Sequence, residues 1–184
     1  MMEAIMAKLR EQLHRVEHEY EMRKVKVVVL EPVPRMALRF IDSEPTHIGP
    51  YARDEQVTLP AWLMKVLKST GHVVLHKDER TDEHYELNDE SRIGRIPRHF
   101  YALTLDWLDS LDKLVAKGML SAQNSKKLKS RFISFQGRRF KMIMDSIAIP
   151  RSTIDKKLSD EEKAIAAIMR ALVEEWERVV LKRE

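Results

Sequence analysis

The spacing of the hydrophobic residues changes about midway along the chain, and this change predicts two structural halves. Residues 24 to 30 alternate lysine with valine before a run of valine and leucine, and residues 36 to 41 form a second extended run. After residue 97 the apolar residues instead recur every three or four positions, which is helical spacing. We therefore predict an α+β protein, with a small β-rich N-terminal domain followed by an all-α helical-bundle domain.

The most compact unit of the first half is a strand, a short helix and a second strand. Gly49 precedes a proline and predicts a turn, and residues 56 to 59 follow as a strand. Pro60 suits the first position of a helix, and Gly71 suits its left-handed end. Residues 72 to 75 then resume a strand. The pattern is typical of a structural core, and nothing in it resembles a catalytic loop.

A helix of about twenty residues is predicted before the first strand, because apolar residues form one narrow stripe in it. His14 and His18 lie one turn apart on this helix, at a spacing that could bind a metal ion. No acidic or histidine partner completes the set, so we interpret them as a solvated pair. We predict no metal site and no cofactor.

A charged stretch without periodicity separates the two halves, and its composition is typical of an interdomain linker. The predicted organisation is therefore a small β domain with its leading helix at residues 1 to 77, a linker at residues 78 to 94, and a helical domain at residues 95 to 184.

Three helices are predicted in the second half, and their ends carry specific signals. Gly118 ends the first helix, and Ser121 caps the second, which ends before Pro150. Ser159 with Glu162 has the spacing of a capping box and opens the last helix. Short connections between helices predict a small bundle.

Composition excludes several kinds of chemistry. There are no cysteines, so disulfides, thiolate catalysis and cysteine-based zinc sites are excluded. Only 5 glycines are present, and no phosphate-binding loop pattern is found. No apolar run reaches the length of a membrane helix. With no readable acid–base pair or nucleophile, we expect a soluble intracellular protein that is not an enzyme.

The second predicted helix of the bundle is strongly basic, although the whole chain has a formal net charge of only +4. Five of its basic residues gather on the face opposite the apolar arc. That face is either a solvated surface or a docking site for phosphates or an acidic partner. No aromatic residue interleaves these charges, which disfavours stacking on single-stranded bases. The five residues are Lys126, Lys127, Arg131, Arg138 and Lys141.

Arg139 points into the middle of the apolar arc, where an arginine requires a carboxylate or must extend to the surface. We expect this carboxylate to come from another subunit, because the helical half offers more large apolar side chains than a small bundle can bury. The predicted subunit interface comprises Phe100, Tyr101, Trp107, Leu108, Phe132, Arg139, Phe140, Met144 and Trp176.

Three segments resemble the GINS subunits, which are components of the replicative helicase. Residues 57 to 67 (VTLPAWLMKVL) resemble the signature of the small β domain, and residues 95 to 101 (RIPRHFY) resemble the segment that enters the helical domain. Residues 138 to 146 (RRFKMIMDS) are similar to a core helix of that domain. The resemblance spans about residues 24 to 182. The β domain comes first, as in the second and third partner subunits of eukaryotic GINS and their single archaeal counterpart.

The resemblance implies a non-enzymatic scaffold. A second type of GINS subunit would join this chain in a tetramer through the helical domains. The complex would link the MCM helicase to a RecJ-like nuclease relative and to primase or polymerase, at a nucleoid-associated replication fork in the cytoplasm. DNA contact would be weak or indirect. The alternative interpretation is an autonomous DNA-binding regulator that uses the basic helix at residues 124 to 149. One departure from the family pattern is the long helix that precedes the first strand.

Overall fold

The computed structural model describes residues 2 to 39, 46 to 85, 94 to 149 and 151 to 180. Within these ranges a leading helix, α1 (Met2–Glu21), precedes a small β region and a helical region. The β region contains β1 (Lys24–Val29), β2 (Met36–Leu38), β3 (Thr46–Ile48), β4 (Gln56–Pro60), α2 (Ala61–Ser69) and β5 (Val73–Leu75). The helical region contains α3 (Phe100–Ala116), α4 (Ala122–Asp145), α5 (Arg151–Ile154) and α6 (Asp160–Val180). The α+β class is confirmed.

Strand β1 is the centre of a three-stranded antiparallel sheet, with β4 on one side and β5 on the other. Val27 lies opposite Val57 of β4 and opposite Leu75 of β5. The valines of β1 at alternate positions are buried, while Lys24 and Lys26 face outward. This period of two is the pattern that the sequence predicted. Strands β2 and β3 form a separate antiparallel pair.

The predicted helix ends are largely confirmed. The hydroxyl of Ser121 accepts a hydrogen bond from the backbone N–H of Asn124 at 3.2 Å, which caps α4. Gly71 and Gly118 have φ values of 82° and 71°, a left-handed conformation that glycine adopts readily. Pro60 is the last residue of β4, and α2 begins one position after it.

A single cluster of buried apolar side chains spans both halves of the described chain. It includes Tyr20 of α1, Val27 of β1, Met64 of α2, Phe100 of α3 and Phe135 of α4. Helix α1 contacts α6 in the helical region and α2 in the β region. The two halves therefore share one core, in which the leading helix takes part.

The first part of the predicted linker is packed structure. Residues 77 to 79 and 82 to 85 form two short 3-10 turns. Thr81 is buried and its hydroxyl lies 2.7 Å from that of Thr104 on α3. The ring of Tyr85 is buried and lies 5.4 Å from the ring of Phe135, measured between centroids. Residues 86 to 93 of the predicted linker lie outside the described residues.

None of the helices in the described ranges is long and apolar enough to span a lipid bilayer.

Candidate interaction surface

Arg139 is buried in the helical region, as its position on the apolar arc predicted, but its carboxylate partner belongs to the same chain. Its Nε donates to Oε1 of Glu162 at 2.8 Å, and its Nη2 donates to Oε2 at 3.0 Å. The side chains are 0% and 2% exposed, so this is a fully buried bidentate pair. The expectation of a carboxylate from another subunit is wrong, because α6 lies across α4 and supplies it.

The remaining polar groups around this pair are also satisfied. Arg139 donates to the backbone carbonyls of Gly94 at 2.6 Å and Lys157 at 2.8 Å. The Tyr101 hydroxyl and the backbone N–H of Ser159 donate to the Glu162 carboxylate at 2.8 and 3.1 Å. Burial, together with the negative charge of Glu162, raises the pKa of Tyr101. The network fixes α3, α4 and α6 relative to one another, which is a structural role.

A second buried network joins the β region to the helical region. Nζ of Lys68 on α2 lies 2.5 Å from Oδ1 of Asp106 on α3, and 3.0 Å from the exposed Asp109 carboxylate. The hydroxyl of Tyr20 on α1 donates to Oδ2 of Asp106 at 2.7 Å. Burial and the negative charge of Asp106 raise the pKa of Tyr20. Because one carboxylate contacts two other helices, this network fixes α1 and α2 against α3.

Several residues of the predicted subunit interface belong to the core of the chain itself. Phe100, Trp107, Leu108 and Phe132 are buried, as is Arg139. The physical reason is that β5 packs against α3 and the turns at residues 77 to 85 pack against α3 and α4, whereas an independent helical bundle would lack both contacts. These residues are therefore corrected from surface to core.

The 3-10 turns supply the contacts that cover these residues. The guanidinium of Arg80 lies 5.2 Å from the ring centroid of Trp107. The ring of Tyr85 lies 5.8 Å from that of Phe132. Tyr101 is half-buried, and its hydroxyl is engaged by Glu162.

Other residues of the predicted interface do lie on the surface. Phe140 and Met144 of α4 are exposed, with Phe140 at 52%. Ile133 lies on the same face of α4, because seven and eleven residues are close to two and three helical turns. Ile133 is 68% exposed. Gly137 lies between Ile133 and Phe140, and a Cβ at this position would meet no atom within 4 Å. We call Ile133, Gly137, Phe140 and Met144 the α4 strip. Ile133 was not predicted as an interface residue because it lies off the apolar arc that faces the core.

The C-terminal half of α6 carries a second exposed apolar surface. Arg170 of α6 donates to the backbone carbonyl of Ile147, which follows the end of α4, at 3.4 Å, and α6 continues for ten further residues. Trp176 in this extension is 55% exposed. Its apolar neighbours recur at three- and four-residue spacing and are also exposed. We call Leu172, Val173, Trp176, Val179 and Val180 the α6 strip.

A small cleft of about 200 Å³ opens beside the α4 strip, in the region between α3, α4 and α6. It is lined by Tyr101, Phe140, Ile143 and Ile165, among others. A large apolar side chain of another molecule would fit such a cleft. Phe140 thus contributes both to an exposed strip and to the rim of a depression.

The five predicted basic contact residues do not form one uninterrupted surface. Lys126, Lys127, Arg138 and Lys141 are exposed, whereas Arg131 is half-buried. Arg138 donates to the backbone carbonyl of Tyr85 at 3.3 Å. Arg131 lines a cavity of about 560 Å³ that is also lined by acidic side chains of the 3-10 turns. On an ideal helix, Lys126 and Lys141 instead fall near the α4 strip.

One group in the described part of the chain could hold a metal ion. It consists of Glu19 on α1, His99 before α3 and Asp160 at the start of α6, with one potential ligand atom from each within 4.8 Å of the others. Burial, together with the positive charge of Arg98, lowers the pKa of His99. His14, predicted as half of a solvated pair, is exposed on α1, as is its pair partner.

No protein-family model matches this chain, and no curated protein matches it.

Proposed function

We propose that this chain is a non-enzymatic scaffold subunit of a GINS-like DNA replication complex. In this proposal it joins a second type of GINS subunit through its helical region, and the two types form a hetero-tetramer. The complex links the MCM helicase to a RecJ-like nuclease relative and to primase or polymerase. The proposal rests on the resemblance of residues 57 to 67, 95 to 101 and 138 to 146 and on one structural observation.

That observation is the exposure of the α4 and α6 strips, while other large side chains of α3 and α4, such as Phe100, Phe132 and Phe135, are buried within the chain. Isolated exposed apolar residues are ordinary, but aligned sets that include a phenylalanine, a tryptophan and a methionine are typical of interface cores. Five apolar side chains in the last ten residues of α6 are exposed, and an amphipathic helix gains stability when its apolar side is covered. A subunit interface would cover it.

The Arg139 and Asp106 networks fit the same proposal. Both are buried and hydrogen-bonded within the chain, so they hold the helices that present the strips. They support a rigid presenting surface.

The test is assembly with a second type of GINS subunit, measured by mass. The wild-type chain should co-purify with it in stoichiometric amounts, and the complex should then retain the MCM helicase. Phe140→Glu and Trp176→Glu should each weaken assembly by about 2 kcal/mol or more, or roughly thirtyfold in Kd, because large aromatic residues dominate interface energies.

The matched control is Val66→Glu on α2, which introduces the same charge at a site that is 54% exposed in the β region. It should leave assembly unchanged. All three variants should keep the wild-type circular dichroism spectrum, because none of the altered residues is in the core. A wild-type chain that is a stable monomer and does not bind the second subunit would refute the proposal, as would normal assembly of both strip variants.

The alternative is an autonomous DNA-binding regulator, and the exposure of Lys126, Lys127, Arg138 and Lys141 is the observation that favours it. Such a surface would give affinity that falls steeply with salt, since it depends on release of counterions from phosphates. The combined change of Lys126 and Lys127 to glutamine should then abolish binding to duplex DNA. Submicromolar binding by the isolated chain at physiological salt would favour this regulator over the scaffold.

A further inference from the structure

We propose that Glu19, His99 and Asp160 form a binding site for one divalent transition-metal ion of the Zn²⁺ class. The three residues come from the end of α1, the residue that precedes α3 and the first residue of α6. A bound ion would therefore join three helices at one point. This site is separate from the α4 and α6 strips, and the inference does not depend on the proposed function.

The geometry needs only small movements of side chains. One oxygen of each carboxylate and one ring nitrogen of His99 lie within 4.8 Å of one another. Zinc takes nitrogen and oxygen ligands at about 2.0 to 2.2 Å, so ligand atoms around one ion lie roughly 3 to 4 Å apart. The Glu19 side chain is 38% exposed and can rotate inward. Three protein ligands leave a coordination position open.

His99 supplies an independent indication of a ligand. It is only 6% exposed, and its Nδ1 is shielded from solvent without a hydrogen-bond partner. Buried polar atoms are nearly always paired, so an exception requires an explanation. Next to Asp160, both carboxylate oxygens of Glu161 are also shielded and without a partner, and the charge of Glu161 acts on His99. A cation held by Glu19, His99 and Asp160 would give the imidazole a partner.

Arg98 currently provides the positive charge. Its Nη2 donates to Glu19 and its Nε donates to Asp160, while Lys163 donates to Asp160 at 2.8 Å. The Arg98 side chain is 64% exposed, so it can move into water at little energetic cost. The cleft of about 280 Å³ lined by Glu19, Arg98 and Asp160 gives an ion access. The guanidinium and the metal ion would compete for the same two carboxylates.

The ligand types indicate the class of ion. An imidazole with two carboxylates suits Zn²⁺ and its neighbours in the first transition row. Mg²⁺ and Ca²⁺ prefer oxygen ligands alone and would gain little from His99. We therefore expect Zn²⁺ and Co²⁺ to bind and Mg²⁺ to bind far more weakly.

The test uses the untagged full-length chain, freed of metal with a chelator and titrated with Zn²⁺ by calorimetry. The wild type should bind one equivalent, and Co²⁺ should give a visible absorption band. His99→Asn removes the imidazole but keeps a residue type that tolerates the left-handed backbone at this position, where φ is 57°. This variant should bind Zn²⁺ at least about tenfold more weakly, in line with the loss of a metal contact.

Two further variants separate this site from adventitious binding. Arg98→Gln removes the competing cation and should tighten Zn²⁺ binding, which a site elsewhere on the surface would not do. His14→Gln disrupts the exposed histidine pair of α1 and should leave binding unchanged. Glu19→Gln should weaken binding, and because Glu19 is partly exposed this variant remains informative if His99→Asn does not fold.

The outcomes are decisive in both directions. One equivalent of Zn²⁺ that is weakened by His99→Asn or Glu19→Gln, tightened by Arg98→Gln and unaffected by His14→Gln supports the site. No binding by the wild type would overturn the proposal, even if Arg98→Gln binds, because the guanidinium would then hold the site in the natural chain. Binding that depends on His14 and not on Glu19 would also overturn it.

Discussion

Replacing Arg139 with methionine should destabilise the chain severely. The substitution keeps an apolar stem of similar length but leaves the Glu162 carboxylate buried, at 2% exposure, without its cation. Removal of one partner from a buried ion pair typically costs about 3 to 5 kcal/mol. A domain of this kind has a total stability of about 5 to 15 kcal/mol, so this is a large fraction of it. Urea unfolding, followed by circular dichroism and tryptophan fluorescence, would measure the loss.

Most of this loss of unfolding free energy should come from the unpaired Glu162 carboxylate rather than from the lost contacts of Arg139. A second substitution distinguishes these two contributions. Arg139→Met combined with Glu162→Gln removes the uncompensated charge, while the glutamine oxygen still accepts from the Tyr101 hydroxyl. The double variant should regain about 1 to 2 kcal/mol relative to Arg139→Met alone.

The matched control is Lys127→Met, which makes the same kind of change at an exposed position of the same helix. Its effect should stay within about 0.5 kcal/mol. A loss of less than about 1 kcal/mol in Arg139→Met, or a double variant no more stable than the single one, would refute the assignment of the energy to the buried charge.

Three further outcomes are expected. The pKa of the Tyr20 hydroxyl is raised in the folded chain, so the unfolded chain loses this proton at lower pH. The stability that protonated Tyr20 contributes should therefore be complete below about pH 10 and be lost as the pH rises further. Absorbance at 295 nm should show ionisation of Tyr20 only as the chain unfolds. Lys68→Met should cost about 3 to 5 kcal/mol in urea unfolding, because it leaves the buried Asp106 carboxylate without its lysine. Gly49→Ala should lower the melting temperature more than Gly118→Ala. Both glycines have a positive φ, so alanine is strained at either position. A Cβ at position 49 would in addition lie 2.7 Å from a backbone carbonyl oxygen, whereas a Cβ at position 118 would meet no atom within 4 Å.

Local features of the fold were predictable from the sequence because neighbouring residues determine them. The alternation in residues 24 to 30 identified β1, and Ser121 identified the start of α4 through its own side-chain hydrogen bond. Ser159 and Glu162 formed the predicted capping box, with reciprocal bonds of 3.1 and 3.3 Å. These signals need no knowledge of distant parts of the chain.

Features that depend on tertiary packing were not predictable in the same way. Helical periodicity placed Arg139 toward the interior, but it could not show that α6 would supply Glu162. Trp107 was predicted to lie at a subunit interface. The sequence of the helical half alone does not show that Arg80 and its neighbours pack over the Trp107 ring. Glu19 and His99 are 80 positions apart (99 − 19), so no spacing rule connects them.

The contact between Tyr20 and Asp106 has a consequence for how such chains can evolve. The two halves look separable in sequence, and exchange of modules is a common way to build new proteins. Here, however, a hydroxyl from the leading helix and an ammonium group from α2 converge on one carboxylate of α3. A half transplanted into another chain would carry either an unmatched anion or an unmatched pair of donors. A chain with the two halves in the opposite order would therefore still have to bring together the Tyr20 hydroxyl, the Lys68 ammonium group and the Asp106 carboxylate.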